Sequence, residues 1–161
     1  MATRNIQLTN ILDRYIDEID SEPTALDDVV DWALTQGLYK PEPRDIRKVF
    51  KEALADSLRQ EKRFDGNRWY RAKRSVRTNI GGIQLNLWAD VDKNASLGFM
   101  EKSVGQSRRA MVDDAYQLKM VVDHYNEANP GQKQIQLILD LTEDVAELEA
   151  SGNSEEGGVA A

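Results

Sequence analysis

The sequence predicts an α+β protein in two lobes, and three observations carry that reading. Apolar residues recur at helical spacing in three successive segments before residue 61. A basic stretch with a hairpin-turn signal at Asp65-Gly66 follows them. Beyond Gly81-Gly82 the pattern turns to strict alternation, then to a long helical stripe, then to alternation again. The expected organisation is a three-helix domain with a basic β-hairpin over residues 1–80, a strand, long helix, strand lobe over 81–150, and a disordered acidic tail over 151–161.

The first helix is expected at about residues 5–20, with Leu8, Ile11, Leu12, Tyr15, Ile16 and Ile19 on one face. Ser21-Glu22-Pro23 ends it. Thr24 and Asp27 then make a capping pattern for a second helix that buries Leu26, Val29, Val30, Ala33 and Leu34 and stops at Gly37. Pro43 suits the first turn of a third helix, where its missing N–H leaves nothing unpaired. That helix is expected to bury Ile46, Val49, Phe50, Ala53, Leu54 and Leu58 and to show Arg44, Arg47, Lys48 and Lys51 outward. Asp65-Gly66, between Arg63-Phe64 and Trp69-Tyr70, predicts two short antiparallel strands.

Three helices and a basic hairpin follow the order of a winged helix-turn-helix. The run VVDWALTQGLYKPEPRDIRKVFKEALADSLRQEKRFDGNRWYRAK, with its corner at Gly37, Leu38 and Tyr39 and its closing Arg63-Phe64 and Trp69 hairpin, resembles the HARE-type helix-turn-helix domains over about residues 6–77. The resemblance implies a winged-helix-like fold and nucleic-acid binding or an adaptor role in DNA-associated systems. It implies no catalytic residue.

Gly81-Gly82 reads as the boundary between the lobes, since adjacent glycines let the chain change direction. Ile83, Leu85, Leu87, Ala89 and Val91 then alternate with polar positions as in a half-buried strand, and a loop covers 92–98. A helix from about 99 to 127 carries the seam Met111, Ala115, Leu118, Val122 and Tyr125, stepping by 4, 3, 4 and 3, which suits lengthwise packing on the closing strands or on a second copy. Asn129-Pro130-Gly131 stops it. Residues 134–141 (QIQLILDL) read as the second strand, and Thr142 as the cap of a short acidic helix.

Composition narrows function. No apolar run reaches the roughly 18 to 20 residues of a membrane span, and the N-terminus has no apolar signal core, so a cytoplasmic protein without membrane contact is expected. The absence of Cys excludes disulfides, thiolate nucleophiles and Cys-ligated zinc. With His124 the only histidine, and on the long helix without a second ligand nearby in sequence, it reads as a surface or capping residue. Asp90, Asp92, Asn94, Ser96 and Glu101 fall at calcium-loop spacing, but Ala95 stands where that loop needs glycine. Asp90, Asp92, Asp113, Asp114 and Asp140 would form a magnesium site for phosphoryl transfer only if the fold gathered them. Nothing in the sequence sets a base or nucleophile beside them. The expectation is a non-enzymatic protein with no cofactor and no metal.

Charge is the sharpest signal. Between Arg44 and Arg77 stand twelve Lys or Arg against five Asp or Glu, a surplus of seven, in a chain of net charge −7. The remainder therefore carries −14, and an anionic partner would meet the basic part. The expected nucleic-acid contacts are Arg44, Arg47, Lys48 and Lys51 from the helix and Arg68, Arg71, Lys73 and Arg74 from the wing, on duplex DNA. The other reading is a protein-interaction module whose hairpin docks an acidic protein surface. Trp69, Tyr70 and Trp88 read as core or hinge aromatics before base-stacking platforms, and Gln106-Ser107-Arg108-Arg109 reads as a solvated face or a secondary phosphate contact.

Overall fold

The computed structural model describes residues 4–19, 23–40 and 42–152, which form helices and two small antiparallel sheets of an α+β protein. The chain divides into two compact units, residues 1–52 and 53–161.

In the first unit, α1 (Arg4–Glu18) and α2 (Leu26–Thr35) meet through Tyr15 and Trp32, whose rings stand edge to face at 5.5 Å. Tyr15, Val29 and Ala33 are its buried apolar residues. The residue before α2 is Ala25, which supplies no side-chain cap, so the expected Thr24 and Asp27 capping pattern is not used. The helix ends as expected on Gly37, whose φ of +67° is open to glycine without strain. Leu38 N–H then closes on Ala33 O at 2.9 Å. Helix α3 (Pro43–Gln60) begins on Pro43, and the Asp45 carboxylate reaches back to accept from Glu42 N–H at 2.7 Å and from the Tyr39 hydroxyl at 3.2 Å. A carboxylate there also meets the positive end of the helix dipole. Of the side chains expected to be buried on α3, Ile46, Val49, Phe50, Ala53 and Leu54 are exposed and Leu58 is half-buried.

The second unit takes in the last turns of α3 from Ala53, Arg59 among them, and continues into the hairpin of β1 (Lys62–Phe64) and β2 (Trp69–Arg71), in the register Phe64 with Trp69. Its turn follows from local chemistry. Asp65 accepts from Asn67 N–H and Arg68 N–H at 2.8 and 2.9 Å, and Gly66 takes φ +95°. These bonds to the ionised form hold the Asp65 carboxyl below its ordinary range. Ala72 separates β2 from β3 (Lys73–Ile80), which pairs with β4 (Ile83–Asp90) from Lys73 opposite Asp90 to Ile80 opposite Ile83. Gly81 and Gly82, at φ +60° and +80°, are the two-residue turn of that hairpin. The boundary expected there is thus the tip of a ladder: two adjacent glycines also fit a tight turn that demands positive φ twice.

Helix α4 (Leu97–Ala128) is capped by the Ser96 hydroxyl, which accepts from Phe99 N–H at 3.2 Å. It lies along β3. Gln106 closes the free edge of that strand, accepting from Arg77 N–H and donating to Arg77 O, both at 2.8 Å. Buried Ala72, Val76, Ala89 and Ser103 mark the small core between hairpin and helix. Ile83, Leu85 and Leu87 are exposed, contrary to the expected half-buried strand, because α4 lies over β3. Among the described residues the second expected strand does not form: residues 134–141 have no ladder partner, and Asn126 of α4 holds Ile135 instead. The seam on α4 stays open at Met111, Leu118 and Tyr125. Helix α5 (Thr142–Gly152) begins with Val145 N–H on Leu141 O at 3.0 Å, and the Asp140 carboxylate just before it accepts from Thr142 N–H and hydroxyl at 3.1 and 2.7 Å, so Thr142, expected as the cap, is the first helical residue. Ser151 and Gly152 end this helix, and the rest of the expected tail lies outside the described residues.

Candidate nucleic-acid interface

Two kinds of cation stand on the hairpins of the second unit, and the difference between them decides what each can do. The first kind is committed internally. Asp90, 7% exposed at the end of β4, takes Arg63 Nη1 at 2.8 Å, Arg63 Nη2 at 2.5 Å and Lys73 Nζ at 2.6 Å. Arg63 also reaches Asp92 at 2.8 Å and Glu61 at 3.0 Å, while the Tyr70 hydroxyl donates to Asp92 at 2.7 Å. The Arg63 hydrogen bonds, and next those of Lys73, hold the Asp90 carboxyl well below the usual carboxylate range. Reciprocally, Asp90 raises Arg63 and Lys73, and the bond to Asp92 raises the Tyr70 phenol. This network ties β1 and β2 to the end of β4. Asp90 and Asp92 therefore meet around a guanidinium, while Asp140 is bound to Thr142 at the start of α5. Among the described residues no group of three or more His, Asp or Glu is placed to hold a metal.

The second kind borders a cleft of about 150 Å³ lined by Arg59, Arg71, Lys73, Arg74, Ser75, Trp88 and Ser107. Arg74 is held on neutral groups: Nε donates to Ser103 Oγ at 3.1 Å, and Nη2 to Ser107 Oγ at 2.7 Å and Ser103 O at 3.4 Å. Ser103, 1% exposed, passes its own proton to Ser75 O at 2.9 Å. Thus α4 presents two hydroxyls, one helical turn apart, that aim a guanidinium from β3 without cancelling its charge. Arg59 sits 5.8 Å over the Trp88 ring and pairs with Asp56 at 2.5 Å on the exposed face of α3. Arg71, at the exposed end of β2, has no ion pair or side-chain hydrogen bond among the described residues. Lys73 contributes less, because Asp90 and Glu61 already surround its ammonium.

Of the residues expected from sequence to contact DNA, the structure brings Arg71, Lys73 and Arg74 to this one cleft. Arg68 stands exposed beside the hairpin turn, 3.9 Å from Asp65. Arg44, Arg47, Lys48 and Lys51 are exposed on the first turns of α3, in the other unit, with Arg44 on Glu42 at 2.6 Å and Lys48 on Glu52 at 3.7 Å. Arg59, Ser103 and Ser107 were missed as site residues. Arg59 belongs to the basic stretch but carries no outward-face signal, and Ser107 lies in the segment read as a secondary phosphate contact. Trp88 is half-buried as a wall of the cleft, whereas Trp69 packs on Phe64 at 5.4 Å across the first hairpin.

Three guanidiniums about one small cleft form a donor set suited to a phosphate, which accepts paired N–H groups in the planar fork geometry of arginine. Comparison with protein-family models, with curated proteins and with solved structures finds no match for the chain. No helix among the described residues is long and apolar enough to cross a membrane.

Proposed function

We propose that this protein is a non-enzymatic, cytoplasmic DNA-binding regulator or adaptor that seats a backbone phosphate of duplex DNA in the Arg59, Arg71 and Arg74 cleft. The observation that carries this reading is the unneutralised state of Arg71 and Arg74, set beside a Lys73 already held by Asp90. A cation with a carboxylate partner must give it up to meet a phosphate, whereas these two need lose nothing. Arg47, Lys51 and Arg68 add exposed charge to which further phosphates can come. Phosphate contacts of this kind position a protein on DNA without reading its sequence. The −14 borne outside the basic stretch repels the same polyanion, but at about 0.1 M salt its field fades beyond roughly 10 Å.

Fluorescence anisotropy with a labelled duplex tests the reading. Binding is expected at about 50 mM salt and should weaken steeply as salt rises, because each contact displaces condensed counterions. Arg71→Ala should lower the slope of log K against log salt by about 1, and Arg71→Ala/Arg74→Ala by about 2, whereas Arg59→Ala, whose guanidinium already has Asp56, should lower it less than Arg71→Ala. Lys73→Ala should change the slope less than Arg71→Ala. Absence of binding at low salt, or equal binding by the double variant, defeats the proposal and leaves the acidic protein surface as the partner to be sought.

A further inference from the structure

Residues 133–141 (KQIQLILDL) leave the turn after α4 and come back to Asn126, which treats Ile135 as a neighbouring strand would. Its Nδ2 donates to Ile135 O at 3.0 Å and its Oδ1 accepts from Ile135 N–H at 2.9 Å. The ladder then stops. Among the described residues, the backbone N–H and C=O groups of 136–140 make no hydrogen bond. Leu137 is half-buried, while Ile135, Leu139 and Leu141 are exposed and Ile138 is 77% exposed. The contrast with β3 is instructive, since Gln106 satisfies both backbone groups on its free edge. One edge is blocked and this one is left open. An apolar segment with strand-like alternation and unpaired backbone groups is a template for another strand.

We infer that the strand is supplied by a second copy of this chain, residues 134–141 pairing antiparallel with themselves across a two-fold axis. Charge favours self-pairing. Lys133 stands just before the segment and Asp140 one residue from its end, so antiparallel pairing about Leu137 puts each lysine next to the position of the partner's Asp140. Parallel pairing would set Lys beside Lys and Asp beside Asp, which is unfavourable. A two-fold axis normal to the ribbon keeps the same face of both segments on one side. The α4 seam of Met111, Leu118 and Tyr125, open and at heptad spacing, is the pattern that a like helix packs against. Ile135, Ile138, Leu139 and Leu141 are exposed as well, and large apolar side chains left in solvent together are what a partner surface covers.

The lack of cysteine makes the test direct in the full chain. Gln136→Cys, Leu137→Cys and Ile138→Cys are made singly and oxidised mildly, with Asp65→Cys on the distant hairpin turn as control. Across an antiparallel two-fold each residue moves away from its own counterpart by two residues per step, so one position alone falls within the roughly 4.4 to 6.8 Å Cα separation of a disulfide. The expected result is intermolecular disulfide at one of the three, several-fold above the other two and the control. Sedimentation should show a dimer for the unsubstituted protein and a monomer of unchanged helical circular dichroism for Ile138→Lys. A protein that stays monomeric at high micromolar concentration, or a dimer with no position cross-linking above the control, overturns the inference. Equal cross-linking at all three positions also overturns it, since that is the mark of parallel pairing.

Discussion

Ser103→Ala removes one oxygen from the joint between α4 and β3, and the structure sets the size of the effect. Two hydrogen bonds disappear: the hydroxyl no longer donates to Ser75 O at 2.9 Å, and Arg74 Nε loses an acceptor at 3.1 Å. A bond to a neutral carbonyl contributes about 0.5 to 1.5 kcal/mol, and one to a charged group about 1.5 to 3 kcal/mol. Arg74 is half-exposed, so water replaces part of its loss, whereas the place of the hydroxyl is 1% exposed. The net expectation is a loss of about 1 to 2 kcal/mol. Ser107→Ala serves as the comparison, because that hydroxyl accepts a single bond from Arg74 and is itself half-exposed. It should cost less than about 1 kcal/mol. Urea unfolding followed by circular dichroism and tryptophan fluorescence measures both, and hydrogen exchange of the β3 amides locates the change. If Ser103→Ala falls within error of the unsubstituted protein, or Ser107→Ala proves the more damaging, the hydroxyl does not hold the helix to the strand. The α4 supply of the Arg74 cradle would then fall with it.

Acid should weaken the second unit through Asp90. Its carboxyl is depressed in the folded state, so its contribution is present above the unfolded value near pH 4 and is lost as pH falls toward the folded one. Stability measured from about pH 5 down to pH 2 should drop less steeply in Asp90→Asn. Val76→Ala removes two buried carbons from β3, and at about 0.8 kcal/mol each plus the cavity left behind should cost about 2 to 3 kcal/mol in the same urea assay. Gly82→Ala tests the tight turn: φ is +80° and an added Cβ meets no atom within 4 Å, so backbone strain alone should cost about 1 to 2 kcal/mol. A neutral Gly82→Ala would mean that the turn does not hold positive φ in solution.

Features written in neighbouring residues were legible, and those that depend on distant partners were not. The Asp65-Gly66 hairpin, the Gly37 stop and the start of α3 on Pro43 each follow from the chemistry of a few consecutive residues. Strand β3 was missed because KRSVRTNI alternates too few apolar residues to announce itself. Only pairing with β4 and the cover of α4 make it a strand. Residues 134–141 fail in the opposite sense: the alternation suits a strand, but no other part of the described chain completes the ladder. At the site, the surplus of cations was plain, but their division into spent and free was not. Lys73 meets a carboxylate seventeen positions away and Arg74 a hydroxyl twenty-nine away, beyond the reach of any local pattern.

Ala72 is fully buried, and its two backbone groups serve different hairpins: its N–H donates to Glu61 O before β1, and its C=O accepts from Val91 N–H after β4, each at 2.9 Å. One residue is thus counted into two ladders, so neither can slip without dragging the other. Changes of chain length will be tolerated very unevenly as a result. A residue added between Asp65 and Arg68, or at Gly81-Gly82, only enlarges a turn in solvent. One added beside Ala72 would throw Trp69, Tyr70 and Arg71 to the opposite face relative to everything after them, and the cleft would lose Arg71 from the side on which Lys73 and Arg74 remain.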